Sequence, residues 1–159
     1  MKIIGTGSAL PSLVVTNEKL SEFLDTSDEW IITRTGIKER RILSKETLLD
    51  LAVEAAQNAI NNAKIDPSEL DFIICSNVAN NYVTPSLSSI VQGRINATCP
   101  CVDINVACTG FIFAMDMADA YFATGLYKKI LIICAEEPSK FVDWSARDAS
   151  ILFGDGAGA

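Results

Sequence analysis

Four short apolar, β-prone runs, at 3–6, 72–76, 101–105 and 130–135, are separated by segments whose apolar residues recur at helical spacing. A chain that switches in this way between extended and helical periodicity buries its strands by layering helices against them, so the expectation is a layered α/β fold. The best-marked helix opens at Thr47 with Asp50 three residues on, a capping-box-like start. Leu48, Leu51, Ala52, Ala55, Ala59 and Ala63 then line one face, small enough to lie close on a sheet. Asp66-Pro67 reads as a stop followed by a short turn, and a further helix is expected after Pro85, running to Asn96. Behind Cys108, the residues Phe111, Ala114, Met115, Ala118 and Phe122 mark the apolar side of another helix, with Asp116 and Asp119 toward its solvated side. That placement makes the two aspartates a poor candidate for a catalytic carboxylate pair.

Length and composition bound the rest. A chain of 159 residues fits one ordinary domain, and 49% hydrophobic content rules against disorder. No run approaches the roughly eighteen apolar residues of a membrane span, and the start Met1-Lys2-Ile3-Ile4-Gly5 has no signal-peptide core, so a soluble cytoplasmic protein is expected. The five cysteines, Cys75, Cys99, Cys101, Cys108 and Cys134, are odd in number and three fall in strand-like runs, so they read as reduced thiols. Cys99-Pro100-Cys101 lacks a second close pair, and there is no histidine to complete four ligands, so no metal is expected. A net charge of −7 argues against nucleic acid. Arg34, Lys38, Arg40, Arg41 and Lys45 nevertheless gather in a single stretch with Glu39 the one acid among them, an anion-attracting patch in an acidic chain.

Cys108 is the leading candidate for chemistry. It stands in Asp103-Ile104-Asn105-Val106-Ala107-Cys108-Thr109-Gly110-Phe111, where a strand ends and a helix begins. Unpaired N–H groups and the positive end of a helix dipole favour a thiolate at such a place, hence a nucleophile. Gly5-Thr6-Gly7-Ser8-Ala9-Leu10 lacks the third glycine of a dinucleotide loop and reads as a tight turn. Gly154-Asp155-Gly156-Ala157-Gly158-Ala159 lacks a phosphate-loop Lys and reads as a packing turn, and the chain ends there as though unfinished. In Thr26-Ser27-Asp28-Glu29-Trp30-Ile31-Ile32-Thr33-Arg34-Thr35-Gly36-Ile37, Thr26 and Glu29 form a capping-box start. Trp30 and Arg34, four apart, share a face that suits a nucleotide, indole on base and guanidinium on phosphate.

The Trp30/Arg34 run, the Ala107-Cys108-Thr109-Gly110-Phe111 elbow and the closing Phe153-Gly154-Asp155-Gly156-Ala157-Gly158-Ala159, in this order and at these separations, closely resemble the β-ketoacyl-acyl carrier protein synthase III family. The resemblance implies a thiolase-like fold, of which residues 1–159 would be the N-terminal half, a mixed sheet flanked by helices, cut near the middle of a full-length member. It implies that Cys108 accepts an acyl group from acyl-CoA and that the thioester is attacked by the carbanion left when malonyl-acyl carrier protein loses CO₂, starting fatty-acid synthesis. By the same similarity Trp30 would stack on the CoA adenine with Arg147 on the base's other side, Thr26 and Arg34 would contact the nucleotide, and Phe153 would line the acyl pocket. Thr84 would reach across a homodimer to close that pocket, its small side chain leaving room for a longer or branched primer.

No cofactor beyond the acyl-CoA substrate is implied, and the partners are acyl-CoA, acyl carrier protein and a second copy, with neither nucleic acid nor membrane. The family completes its site with a His and an Asn from the second half; with no histidine here, these 159 residues are not expected to condense anything alone. A hydroxymethylglutaryl-CoA synthase-like or polyketide-priming enzyme, or an inactive acyl-CoA-binding and dimerisation half, are the alternatives.

Overall fold

The computed structural model describes residues 1–159. In chain order the strands are β1 (Ser8–Ala9), β2 (Leu13–Thr16), β3 (Glu39–Ile42), β4 (Phe72–Ser76), β5 (Cys101–Ile104), β6 (Ile130–Glu136) and β7 (Gly156–Gly158). The helices are α1 (Asn17–Ser21), α2 (Asp28–Thr35), α3 (Leu48–Ala63), α4 (Leu87–Arg94), α5 (Gly110–Ala123) and α6 (Arg147–Ser150). Short 3₁₀ turns occupy Pro67–Glu69, Ala107–Thr109 and Pro138–Lys140. No helix is long and apolar enough to cross a membrane.

Five strands form a mixed sheet in the order β1-β7-β6-β4-β5, in which β4 runs parallel to β5 and β6 while β7 is antiparallel to β6 and β1. All five residues of β4 are buried, as a central strand covered on both faces requires. Ile73 and Cys75 join the larger core with Leu51, Ala52, Ala55 and Ala59 of α3 and Val91 of α4. Phe72 and Ile74 face the other way, onto Ala114 and Ala118 of α5. Full burial of each such Ile or Phe contributes about 1.5–3 kcal/mol.

The helix at Thr47 forms with both halves of its capping box: the Asp50 N–H donates to Thr47 Oγ1 at 3.2 Å and the Thr47 N–H to Asp50 Oδ2 at 2.9 Å. The strands at 72–76, 101–104 and 130–136 and the helix after Pro85 form where the sequence places them.

Three expectations are corrected. Residues 3–6 are not a strand here; the ladder that pairs Ser8 with Gly158 extends to reciprocal bonds between Gly7 and Ala159. The same stretch is not a tight turn. Gly5 and Gly7 are there because a Cβ would lie 2.5 Å from the Ala59 carbonyl oxygen and 2.3 Å from that of Ala55, so the extended backbone rests directly on α3. The closing glycine run is a strand, β7, rather than a turn.

A separate two-stranded ribbon, β2 against β3, pairs Leu13 with Ile42 and Thr16 with Glu39. Beneath it Leu20, Leu24, Ile31 and Ile151 form a small second core, with Trp30 and Trp144 packed against its edge.

Candidate active site

Cys108 sits where the sequence puts it, but on a 3₁₀ turn rather than in the helix itself. After β5 the chain enters the turn with Ala107 at φ +50°, the left-handed region that costs a non-glycine residue about 1–2 kcal/mol. This turn holds Cys108 exposed at the head of the 14-residue α5. Thr109, in the capping position, gives α5 no side-chain cap; its hydroxyl donates instead to the Val106 carbonyl at 2.8 Å. The helix N-terminus therefore keeps its positive end open toward the turn. Gly110 allows the close seating, since a Cβ there would lie 1.8 Å from Ser76 Oγ at the end of β4. Burial pushes the thiols of Cys75, Cys99 and Cys134 up, that of Cys75 furthest, with the Asp103 charge adding to it.

The second group forms on the small core. Ser27, not Thr26, caps α2, its Oγ accepting from the Trp30 N–H at 3.1 Å. Thr26 lies one residue outside, and its Oγ1 is buried without a partner in the chain. From this helix Arg34 lays its guanidinium over the Trp30 ring, 4.1 Å from the centroid. Arg147 comes from α6 to the same ring at 4.6 Å and donates from Nη1 to the Asp25 carbonyl at 2.8 Å. Trp30, Arg34 and Arg147, separated by up to 117 positions (147 minus 30), thus form one cluster beside Thr26.

The segment that ends at β7 is anchored by Asp155, which is only 4% exposed. Its carboxylate accepts from the Leu43 N–H at 2.8 Å and from the Ser139 N–H and hydroxyl at 3.1 and 2.6 Å, and its own N–H donates to the Arg41 carbonyl. Ser139 in turn accepts the Trp144 indole N–H at its carbonyl. These bonds tie the chain on either side of α6 to the ribbon. Asp155 is not singled out by sequence pattern, the one local signal being an acid set between glycines.

Thr84 and Phe153 are not brought together. Thr84 lies exposed on the loop after β4, and Phe153, 40% exposed, lies between α6 and β7. Neither lines the polar cavity of about 270 Å³ formed by Asn77, Tyr82, Ser86 and Asp103, nor the apolar groove of about 580 Å³ between residues 1–7, α3 and α5. The five-cation stretch is also divided by the fold. Arg34, Lys38 and Lys45 are exposed, but Arg40 is 5% exposed and faces inward, so the patch is smaller than its composition. Asp116 and Asp119 are exposed on α5, as a solvated face requires, whereas Phe111 on the expected buried side is 50% exposed.

The model of the 3-oxoacyl-[acyl-carrier-protein (ACP)] synthase III family matches residues 102–159, which contain Cys108, α6 and β7. The chain is 50% identical to the β-ketoacyl-[acyl-carrier-protein] synthase III of Clostridium acetobutylicum over 100% of its own length and 49% of that protein. It is 48% identical to the protein of the same name from Aquifex aeolicus, over 99% of this chain and 52% of the relative. The crystal structure of the Aquifex aeolicus VF5 synthase III superposes with a TM-score of 0.97 at 48% identity, covering 99% of this chain and 51% of that one. The priming β-ketosynthase of the R1128 polyketide pathway superposes with a TM-score of 0.95 at 34% identity, over 99% and 48%. The chain thus spans about half the length of the curated relatives it matches. Along its whole length, in sequence and in fold, it is similar to the thiolase-like β-ketoacyl-[acyl-carrier-protein] synthase III proteins.

Proposed function

We propose that this chain is the cysteine-bearing N-terminal half of an acyltransferase that condenses an acyl-CoA primer with malonyl-acyl carrier protein. The observation that carries the reading is Cys108, exposed on a strained turn at the uncapped head of α5 while the other four cysteines are buried or half-buried. In the first step the Cys108 thiolate attacks the acyl carbonyl; the bond from Sγ to the acyl carbon forms, the bond to the CoA sulfur breaks, and CoA leaves as its thiolate. In the second step malonyl-acyl carrier protein loses CO₂, the resulting carbanion takes the acyl group, and Cys108 leaves as thiolate. The Cys108 backbone N–H, at a helix start, is suited to the oxyanion of both tetrahedral intermediates.

Trp30 serves the CoA adenine, with Arg147 swinging off the indole to admit the base and closing over it. Arg34 takes phosphate, and the unpartnered Thr26 hydroxyl supports a ligand contact beside them. Exposed Arg34, Lys38 and Lys45 suit an acidic carrier protein. β5 has a strand neighbour on one side only, which leaves an edge for a second copy, and Thr84 on the nearby loop would set primer length across that contact. Phe153 would line the acyl pocket once the remaining half is in place. That half would also cover α5, whose Phe111, Ile112 and Phe113 are each at least half exposed, and would bring the further catalytic groups. No cofactor is needed beyond the acyl-CoA substrate, and the setting is the cytoplasm.

The test is to incubate the complete protein with acetyl-CoA and locate the added acetyl group by peptide mass spectrometry. Acetyl on Cys108 is the expected result; acetyl on Cys75 or Cys134 with Cys108 unmodified overturns the assignment. A polyketide-priming role is the second reading, favoured by the R1128 superposition. Turnover with acyl-CoAs of increasing length separates the two.

A further inference from the structure

Arg40 lies on β3 with 5% of its surface exposed, and no carboxylate pairs with it. A buried cation without a counter-ion is costly, and a ribbon that needed only packing would be better served by an apolar side chain. The guanidinium instead reaches three separate elements. Nη1 donates to the Val15 carbonyl on β2 at 3.1 Å, and Nη2 donates to Asn17 Oδ1 at 2.8 Å and to the Ile151 carbonyl at 3.0 Å.

The last two contacts lead to the aromatic cluster from opposite ends. Ile151 is the C-cap of α6, the helix that carries Arg147. Asn17, fully buried, passes the connection on: its Nδ2 donates to Asp28 Oδ1 at 2.8 Å and to the Ile37 carbonyl at 2.7 Å. Asp28 is the first residue of α2, the helix that carries Trp30 and Arg34, and Ile37 follows its C-terminal Gly36. The Arg40 fork, extended by Asn17, therefore links the two helices whose side chains meet on the Trp30 ring, and these helices are more than 100 positions apart in the chain. A planar, always-charged donor with fixed angles is suited to holding such a separation; a lysine would keep the charge and lose the fork.

We propose that Arg40, acting through Asn17, is a positioning residue that sets the spacing of Arg147 against Trp30 and so the affinity of this site for the nucleotide of CoA. The nucleotide part rests on the function proposed above; the spacing part does not.

The experiment uses the complete protein labelled with 5-fluorotryptophan, the Trp30 fluorine resonance being assigned by its loss in Trp30→Phe, together with calorimetric titration of CoA. In Arg40→Met, checked for folding by circular dichroism, the Trp30 resonance is expected to shift or broaden and CoA to bind about tenfold more weakly, with Arg40→Lys in between. Should Arg40→Met not fold, Asn17→Ser cuts the arm to Asp28 alone, and a smaller change in the same direction is expected. A folded Arg40→Met, or Asn17→Ser in its place, with the Trp30 resonance unchanged overturns the proposal, as does unchanged CoA affinity in a protein that binds CoA. If the unaltered protein does not bind CoA, the nucleotide reading fails, while a displaced Trp30 resonance still supports the role of Arg40 in spacing the ring.

Discussion

The Cys108 turn and the Trp30 cluster are built by opposite means. Around Cys108 the backbone does the positioning: a left-handed alanine, an uncapped helix start and a glycine pressed against Ser76, with the sulfur itself left exposed. Around Trp30 side chains do it, through Arg40, Asn17, Asp28 and the stacked guanidiniums, on a core of only four buried apolar residues. Backbone geometry fixes one atom closely and leaves little room for substitution. A polar network fixes the distance between two elements, and its failure should be graded.

The largest expected contrast is chemical. Only the thiolate reacts with iodoacetamide, and burial holds the Cys75 pKa far above its ordinary value, so at pH 8 Cys75 stays protonated as well as enclosed. Alkylation of Cys108 should outpace that of Cys75 by at least about a hundredfold, read by peptide mass spectrometry. Comparable rates would mean that the turn does not present its sulfur as described.

Next, removing both partners of the stack, Trp30→Ala with Arg147→Ala, should weaken CoA binding by about 1–3 kcal/mol per lost stacking contact while leaving Cys108 alkylation intact. Unchanged affinity by calorimetry would place the nucleotide elsewhere and remove the cluster from the comparison.

Gly110→Ala puts a methyl 1.8 Å from Ser76 Oγ and should cost about 1–3 kcal/mol in urea unfolding, because α5 must move off β4. Gly93→Ala in α4 meets nothing within 4 Å and should be stabilising by up to about 1 kcal/mol. Equal effects would deny the tight seating of the elbow.

The smallest effect concerns the cap of α2. Ser27→Ala should cost about 1 kcal/mol, and Thr26→Ala less, since the Thr26 hydroxyl makes no bond in the chain. The reverse order in thermal melts would restore Thr26 as the cap and shift the helix start by one residue.

What the sequence determined by itself was local. The period of α3 and its Thr47 box, the apolar runs of β4, β5 and β6, and the strand-to-helix passage at Cys108 all depend on residues within a few positions of one another. The four-residue spacing likewise put Trp30 and Arg34 on one face, and the family resemblance supplied Arg147. The tertiary structure decided where a residue's role depends on a distant partner. β3 reads Glu-Arg-Arg-Ile, a charged surface by composition, yet β2 pairs with it and Arg40 turns inward to accept the geometry of α6. β7 reads Gly-Ala-Gly, with no strand propensity, and is a strand because β1 and β6 hold both of its edges, with the Leu10 side chain close beside Gly156. Hydrogen-bond partners and burial are set by the whole chain at once, so a pattern confined to a short window reports an element's period but not the partner that completes it.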